Sequence, residues 1–511
     1  MSLFRKKSLA SILAQAEDGG QGLKRTLGAA NLVALGIGAI IGAGLFVRTA
    51  AAAGQAAGPG VTLSFIVAAV GCAFAGLCYA EFAAMIPIAG SAYAYSYTTM
   101  GELVAWIIGW ALIMEYALGA ATVSIAWSEY LNKLLGGAIP YEWCHSPMES
   151  FTDSAGVHHS GLVNLPALII LLLLTMLLIK GTQESAIVNM VIVFIKVAIV
   201  LLFIAIGWKF INAANHTPYL IPEGTAPVTD QAGKVIADYS GWNKHGWGGV
   251  LGGAAIVFFA FIGFDAVSTA AQEAKNPKRD MPIGILGSLV VCTILYILFG
   301  HVLTGVANWK EFVDPEKGRE ASVAYAISTY MTGYGWLATG VTVAILAGFS
   351  SVILVMLLGQ SRVFYTMSND GLIPKAFGEL HPKFKTPYKA NWILFVFVGA
   401  FAAFVPGHLA GDLTSFGTLF AFVLVSIGVW ILRVKEPNIK RPFRAPVYPV
   451  VSALGAIICT LMIIGLDLQT LKVAFGWMLL GLIVYFLYSR HHSKLKSPGE
   501  ILPKASDFDK H

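Results

Sequence analysis

The sequence predicts an all-α integral membrane protein. About twelve transmembrane helices form two five-helix units of opposite topology, followed by two appended helices. Three observations carry this fold class. The 511 residues are 57% hydrophobic and only 12% charged, with a mean hydropathy of +0.71, whereas a soluble domain carries about 25% charged residues. Apolar stretches long enough to cross a ~30 Å hydrocarbon core, which takes roughly 20 residues, recur about twelve times along the chain. The first and the sixth of these stretches are interrupted by glycine near mid-span.

Taken in order, the spans run near 29–57, 61–87, 102–130, 162–180, 186–212, 248–274, 282–308, 336–367, 391–407, 413–433, 450–468 and 472–489. The longest polar connections, 131–161 and 213–247, hold turn residues and no apolar span. Residues 1–28 form a polar N-terminal segment without the sustained apolar core of a signal peptide. Spans 1–5 make a first unit over 29–212 and spans 6–10 a second over 248–433. Residues 450–489 are the two appended helices, and 490–511 a polar tail. Alternate connections hold 24 of the 34 lysines and arginines, and the opposite set holds eight. By the positive-inside rule both termini are cytoplasmic and the protein is a multi-pass protein of the cell (inner) membrane. Four of the five cysteines fall in apolar spans, leaving Cys144 in a loop, so no disulfide framework is expected. The net charge of +6 reports this topology and not a nucleic-acid partner.

Span 1 carries Gly36, Gly38, Gly42 and Gly44. Each glycine in a helix interior costs about 1 kcal/mol relative to alanine. In lipid, unwound backbone survives only where it is packed in protein or lines a cavity. A small-residue packing seam is the other reading of such spacing, but span 6 has a matching interruption at Gly263, followed at once by Phe264 and Asp265. Because five is odd, the two units that these spans open have opposite topology, and interrupted helices in corresponding places point to a ligand site at the midplane. The second half of span 1 begins near Gly44 with free N–H groups, which suit a carboxylate. The first half of span 6 ends near Phe259–Phe261 with free carbonyls, which suit an ammonium. Together they describe an α-amino acid. The expected substrate-binding residues are Ile40, Ile41, Gly42, Ala43, Gly44, Phe258, Phe259, Ala260 and Ile262, with Glu115 in addition.

These residues carry a recognisable pattern. G-A-I-I-G-A-G-L-F (38–46) and C-Y-A-E-F-A-A-M-I-P-I-A-G-S-A-Y-A-Y (78–95) resemble the first two spans of the amino acid–polyamine–organocation superfamily. F-I-G-F-D (261–265), Q-E-A-K-N-P-K-R-D-M-P (272–282), S-R-V-F-Y-T-M-S-N-D-G-L-I-P-K-A-F (361–377) and R-P-F-R-A-P (441–446) resemble its cationic amino acid transporter subfamily, whose bacterial relatives are the nearest match. The resemblance implies the five-plus-five inverted repeat of the leucine-transporter fold and secondary transport of amino acids. It leaves open whether the substrate is small and neutral, such as alanine, or cationic.

Lys196 lies about ten residues from either end of span 5, too deep to snorkel easily. An ionisable group at that depth marks a function by default. In proton-coupled relatives a fifth-helix lysine resembles Lys196 and takes the place that a cation holds in sodium-coupled ones. On that resemblance, Lys196 is expected to bond carbonyls around Ala39–Ile41 and a span 8 hydroxyl, Ser350 or Ser351. The proton is then the coupling ion. A permanently paired structural lysine is the alternative. Glu115 in span 3 has three readings: partner of a cationic side chain, second proton carrier, or mate of another buried polar group. Asp265 is expected to cap the second half of span 6. Arg48 is expected to face an outer vestibule or to pair with Glu115 or Asp265. Phe258, Phe259 and Phe261 flank the second break, where an aromatic side chain can act as a lid. Tyr79 and Glu81 are expected in packing and gating contacts, and His301 in polar packing. His158, His159, Cys144 and His145 lack metal-ligand spacing, and neither metal nor cofactor is expected.

The chain has no H-E-x-x-H, G-x-S-x-G or P-loop motif, and too few midplane polar groups for a channel filter. The expected function is secondary active transport of L-amino acids into the cell by alternating access, proton-coupled. An exchanger or facilitator, or a transport-like amino acid sensor, is the alternative. The partners are the small-molecule substrate and the lipid bilayer; oligomers and accessory subunits leave no trace in the sequence.

Overall fold

The computed structural model describes residues 5–7, 27–85, 91–153, 155–180, 186–230, 233–265, 267–268, 274–314, 322–384, 386–439 and 441–496. The N-terminal segment expected at 1–28, the ends of spans 2 and 6 and the tail at 490–511 fall partly outside these residues. In chain order the helices are α1 (Ala29–Ile40), α2 (Thr49–Ala52), α3 (Val61–Met85), α4 (Ser91–Thr99), α5 (Glu102–Ile113), α6 (Gly119–Leu134), α7 (Leu165–Lys180) and α8 (Ala186–Gly207). They continue as α9 (Gly246–Val257), α10 (Pro277–Val306), α11 (Ser322–Tyr330), α12 (Gly335–Asn369), α13 (Tyr388–Phe404), α14 (Gly407–Lys435), α15 (Tyr448–Ile464) and α16 (Leu468–Val484).

Helices dominate because a chain this poor in charge must satisfy its backbone internally when lipid surrounds it. Among the described residues, seven helical runs are long and apolar enough to cross a membrane: Gly44–Met85, Glu102–Leu134, Val191–Phe210, Pro277–Val306, Gly335–Asn369, Gly407–Lys435 and Leu468–His492. Five shorter apolar helices accompany them: Ala29–Ile40, Leu165–Lys180, Gly246–Phe261, Tyr388–Phe404 and Tyr448–Ile464. The run Gly44–Met85 is divided at Gly58, whose φ of +59° interrupts the helix before α3. The break is a position for glycine because left-handed backbone strains any residue with a Cβ.

α10 packs on both α3 and α1, α14 and α15 cover α3, and α6 packs on α12. Large apolar side chains such as Ile169, Phe194, Val290 and Leu479 point outward from this bundle, as on a lipid-facing surface. The appended α16 is fastened to α5 by tryptophans: Trp106 Nε1 donates to Gly481 O (2.8 Å), Trp110 Nε1 donates to Trp477 O (2.9 Å), and the Trp110 and Trp477 rings stack at 4.8 Å.

The two long connections form small antiparallel hairpins, β1 (Ser150–Thr152) with β2 (His158–Ser160) and β3 (Val228–Thr229) with β4 (Val235–Ala237). Thr152 N donates to Asp230 Oδ2 (3.1 Å) and Lys234 Nζ to Ser150 O (2.7 Å), so the hairpins brace each other. Elsewhere in the bundle, described residues near the two termini meet: Arg5 Nη1 donates to Leu495 O (3.1 Å). Lys7 Nζ pairs with Asp370 (2.7 Å), which also accepts from Tyr93 (2.8 Å). Glu102 accepts from Tyr97 and Tyr485 (each 3.1 Å) and from Ser493 (2.5 Å).

Candidate binding site at two helix breaks

α1 ends at Ile40. Ile41 is extended (φ −73°, ψ 104°), and the chain re-enters helix as the π-turn Gly44–Arg48. α9 ends at Val257, tightens to a 3₁₀ turn over Phe258–Phe261, and opens at Ile262 (φ −60°, ψ 132°) and Gly263 (φ +117°). The glycines cause this geometry. Gly263 adopts a conformation that L-residues avoid, and a Cβ there would lie 2.8 Å from Ala39 O. A Cβ on Gly44 would lie 2.2 Å from Ala260 Cα. The two breaks, more than 200 residues apart in sequence, are therefore in backbone contact.

This brings Ile40, Gly44 and Ala260 into one place, with Ile41, Ala43, Phe258, Phe259 and Ile262 buried around them. Gly42 faces α12, where a Cβ would sit 3.2 Å from Val352 Cγ2. At the start of the helix that follows Gly42, Leu45 N donates back to Gly42 O (3.2 Å), while the N–H groups before it precede any intrahelical acceptor. They carry the positive end of its dipole.

Lys196, 3% exposed, reaches from α8 into the seam between α1 and α12. Its Nζ donates to Gly38 O at 3.0 Å, one residue before the carbonyls expected. Its stem crosses Gly348 of α12, where a Cβ would be 2.7 Å from Lys196 Cε. Ser350, an expected partner of Lys196, donates to Leu346 O in its own helix (2.9 Å), and Ser351 is buried nearby in sequence.

Glu115 sits in a second π-turn, Met114–Leu118, and is wholly buried. Such turns in an α-helix are frequent at functional sites. Its electrostatic neighbours are Asp265 and Thr418, and Tyr116 Oη donates to Asp265 Oδ2 at 3.1 Å. Both Glu115 carboxyl oxygens are buried without a hydrogen-bond partner among the described residues, and the three readings of Glu115 stay open. The helix that Asp265 is expected to cap falls largely outside the described residues. Tyr79 joins the same region through its ring, against Phe264 (5.9 Å) and Phe422 (5.2 Å). Glu81 does not: it pairs with Arg433 (2.6 Å) and Arg441 (3.4 Å). The His301 ring lies tilted against His216 at 4.6 Å and Trp208 at 5.4 Å, away from the breaks.

Arg48 does pair with an acid, although with neither Glu115 nor Asp265: its partner is Asp412 of α14. Both are buried, and the guanidinium lies 5.9 Å over the Phe259 ring, within cation–π range. Arg48 borders a cavity of about 830 Å³, whose polar lining includes Gln55, Glu129, Asp238, Lys244 and Asp467. Asp412 was hidden because it stands just before an apolar run and reads as loop, whereas α14 starts at Gly407. A buried arginine without an acid in its own span was the available clue. Removing one partner of a buried pair costs about 3–5 kcal/mol. Asp412→Asn is therefore expected to lower the melting temperature of the detergent-solubilised protein by several degrees, and the swapped pair Arg48→Asp/Asp412→Arg to recover part of it.

Comparison with known proteins identifies the family. Residues 27–488 match the amino acid permease family. The chain belongs to that family, within the amino acid–polyamine–organocation superfamily. It is similar to the branched-chain amino acid permease BcaP of Bacillus subtilis (43% identity, covering 97% of this chain and 99% of that one). It is also similar to the methylthioribose transporter of the same organism (40%, 97% and 99%). The vacuolar cationic amino acid transporter 4 of Arabidopsis thaliana is 32% identical over 86% of this chain and 68% of that one. The permease is thus a membrane transport protein and not an enzyme. Among its described residues no group of three or more His, Cys, Asp or Glu is placed to hold a metal ion.

Proposed function

We propose that this permease is a proton-coupled symporter that carries L-amino acids into the cell by alternating access. Its twelve spans would form a five-plus-five inverted repeat with both termini in the cytoplasm. The observation that carries the reading is the contact between the two breaks. It sets the backbone at Gly44, where a helix restarts, directly against that of Ala260 in the Phe258–Phe261 turn. Helix ends so disposed match the α-carboxylate and α-ammonium groups of one amino acid. Ile40, Ile41, Gly42, Ala43 and Gly44 bind the first group, and Phe258, Phe259, Ala260 and Ile262 the second. Glu115 lies toward the side-chain end. Arg48, Asp412 and Phe259 close the site from the outer cavity. Lys196 carries the coupling proton: charged, it holds the carbonyl of Gly38; neutral, it releases α1 to move.

The substrate class follows from the main-chain groups, while the relatives differ in the side chains their names imply. Purified protein in proteoliposomes tests it by competition against labelled alanine uptake. Leucine, alanine and arginine cover neutral and cationic substrates. Alanine amide and N-acetylalanine each lack one main-chain charge, and methylthioribose lacks both. Competition by an amino acid, with the two blocked analogues at least tenfold weaker, is the expected result. Competition by methylthioribose with no effect of any amino acid sinks the reading.

A further inference from the structure

We infer that Tyr296 is a positioning residue that holds the two breaks in register for the substrate; the inference rests on the proposed amino acid site. Tyr296 stands on α10, fully buried, and belongs to neither break. Its hydroxyl lies 3.0 Å from Ile40 O and 2.9 Å from Ala260 O. The first is the last carbonyl of α1, and the second lies in the turn that ends the first half of span 6. A phenol has one proton to donate, so that proton is shared between one acceptor from each break.

The ring is held in turn. It packs against Phe65 of α3 at 5.4 Å and against Phe261 at 5.4 Å, so the hydroxyl is fixed by its surroundings and the carbonyls are drawn to it. The Gly44–Ala260 contact prevents the breaks from approaching more closely, and Tyr296 prevents them from drifting apart. Carbonyl oxygens have two lone pairs each, so both retain capacity for a substrate N–H. A binding constellation needs its parts held within about 0.5 Å, and here those parts come from two chain segments with no covalent reason to stay aligned. A tyrosine that merely filled space would need no hydroxyl at this point.

Tyr296→Phe keeps the ring and removes only the shared proton. Saturable amino acid uptake by wild-type proteoliposomes is the first arm, and its absence counts against the transport reading itself. Given wild-type uptake, the variant is expected to show a KM raised roughly tenfold, as the loss of one well-placed hydrogen bond allows. Its maximal rate stays within twofold, and its melting temperature without substrate falls by no more than a few degrees, well short of the fall in Tyr296→Leu. Unchanged KM overturns the inference. So does a parallel fall of uptake rate and substrate-free melting temperature, which is the mark of a packing residue. Tyr296→Leu calibrates that second outcome, because it removes the ring as well.

Discussion

Lys196→Met is expected to abolish pH-driven accumulation of substrate, lowering it at least tenfold, and to make the residual uptake independent of the imposed gradient. The lysine amine is buried and donates to Gly38 O at 3.0 Å, in the last turns of α1 before the break. Burying an ammonium in the membrane is costly unless it is paired, and its carbonyl partner becomes an unsatisfied buried group if the amine goes, at about 1–3 kcal/mol. Methionine fills most of the same volume, so the substitution removes the charge and the bond while keeping the packing. A pH indicator trapped in the vesicles reads the consequence: substrate-dependent acidification in wild type and none in the variant. Gly348→Ala approaches the same point sterically, because its Cβ would lie 2.7 Å from Lys196 Cε. The end of a flexible side chain can shift, so this variant is expected to be impaired and not inactive.

Gly44→Ala carries the second large effect. The added Cβ would lie 2.2 Å from Ala260 Cα and 2.7 Å from Ala260 N. These are backbone atoms of the second break, which cannot move aside without opening the site. Overpacking of a tight interior costs about 1–3 kcal/mol in stability, but the expected functional loss is larger, since the displaced atoms are the proposed ligand groups. Uptake should fall at least tenfold. Gly42→Ala is the control, two residues away in the same break. Its nearest neighbour would be Val352 Cγ2 at 3.2 Å, a side chain able to yield, and most of the uptake should survive. Size-exclusion chromatography in detergent separates lost transport from lost folding. Equal activity of the two variants would mean that the backbone contact does not matter for transport.

Much of this was legible before any coordinates. Mid-span glycines mark breaks because helix interiors and lipid both penalise them, and α1 ends at Ile40 and α9 at Val257, close to where Gly42 and Gly263 put the interruptions. Lys196 was legible because a cation deep in an apolar run must be paired, whether it serves structure or function. Asp412 and Tyr296 were not. An acid at the edge of an apolar run looks like a loop, and Tyr296 is one of 18 tyrosines, distinguished only by which carbonyls its hydroxyl meets. The π-turns at Gly44–Arg48 and Met114–Leu118 left no mark either, because an extra residue per turn depends on packing between helices and not on local sequence. The bracing of Lys7 on Asp370 and of Ser493 on Glu102 is likewise a property of the assembled bundle.

The central claim, proton-coupled amino acid uptake, is tested most directly with wild-type protein in liposomes at internal pH 8. Labelled alanine and labelled arginine are supplied at external pH 6, and again at external pH 8. Accumulation of either above its external concentration at pH 6, collapsing at pH 8 or with a protonophore, is the predicted result. Uptake that only equilibrates, at the same rate with and without the gradient, would contradict proton coupling and make the permease a facilitator.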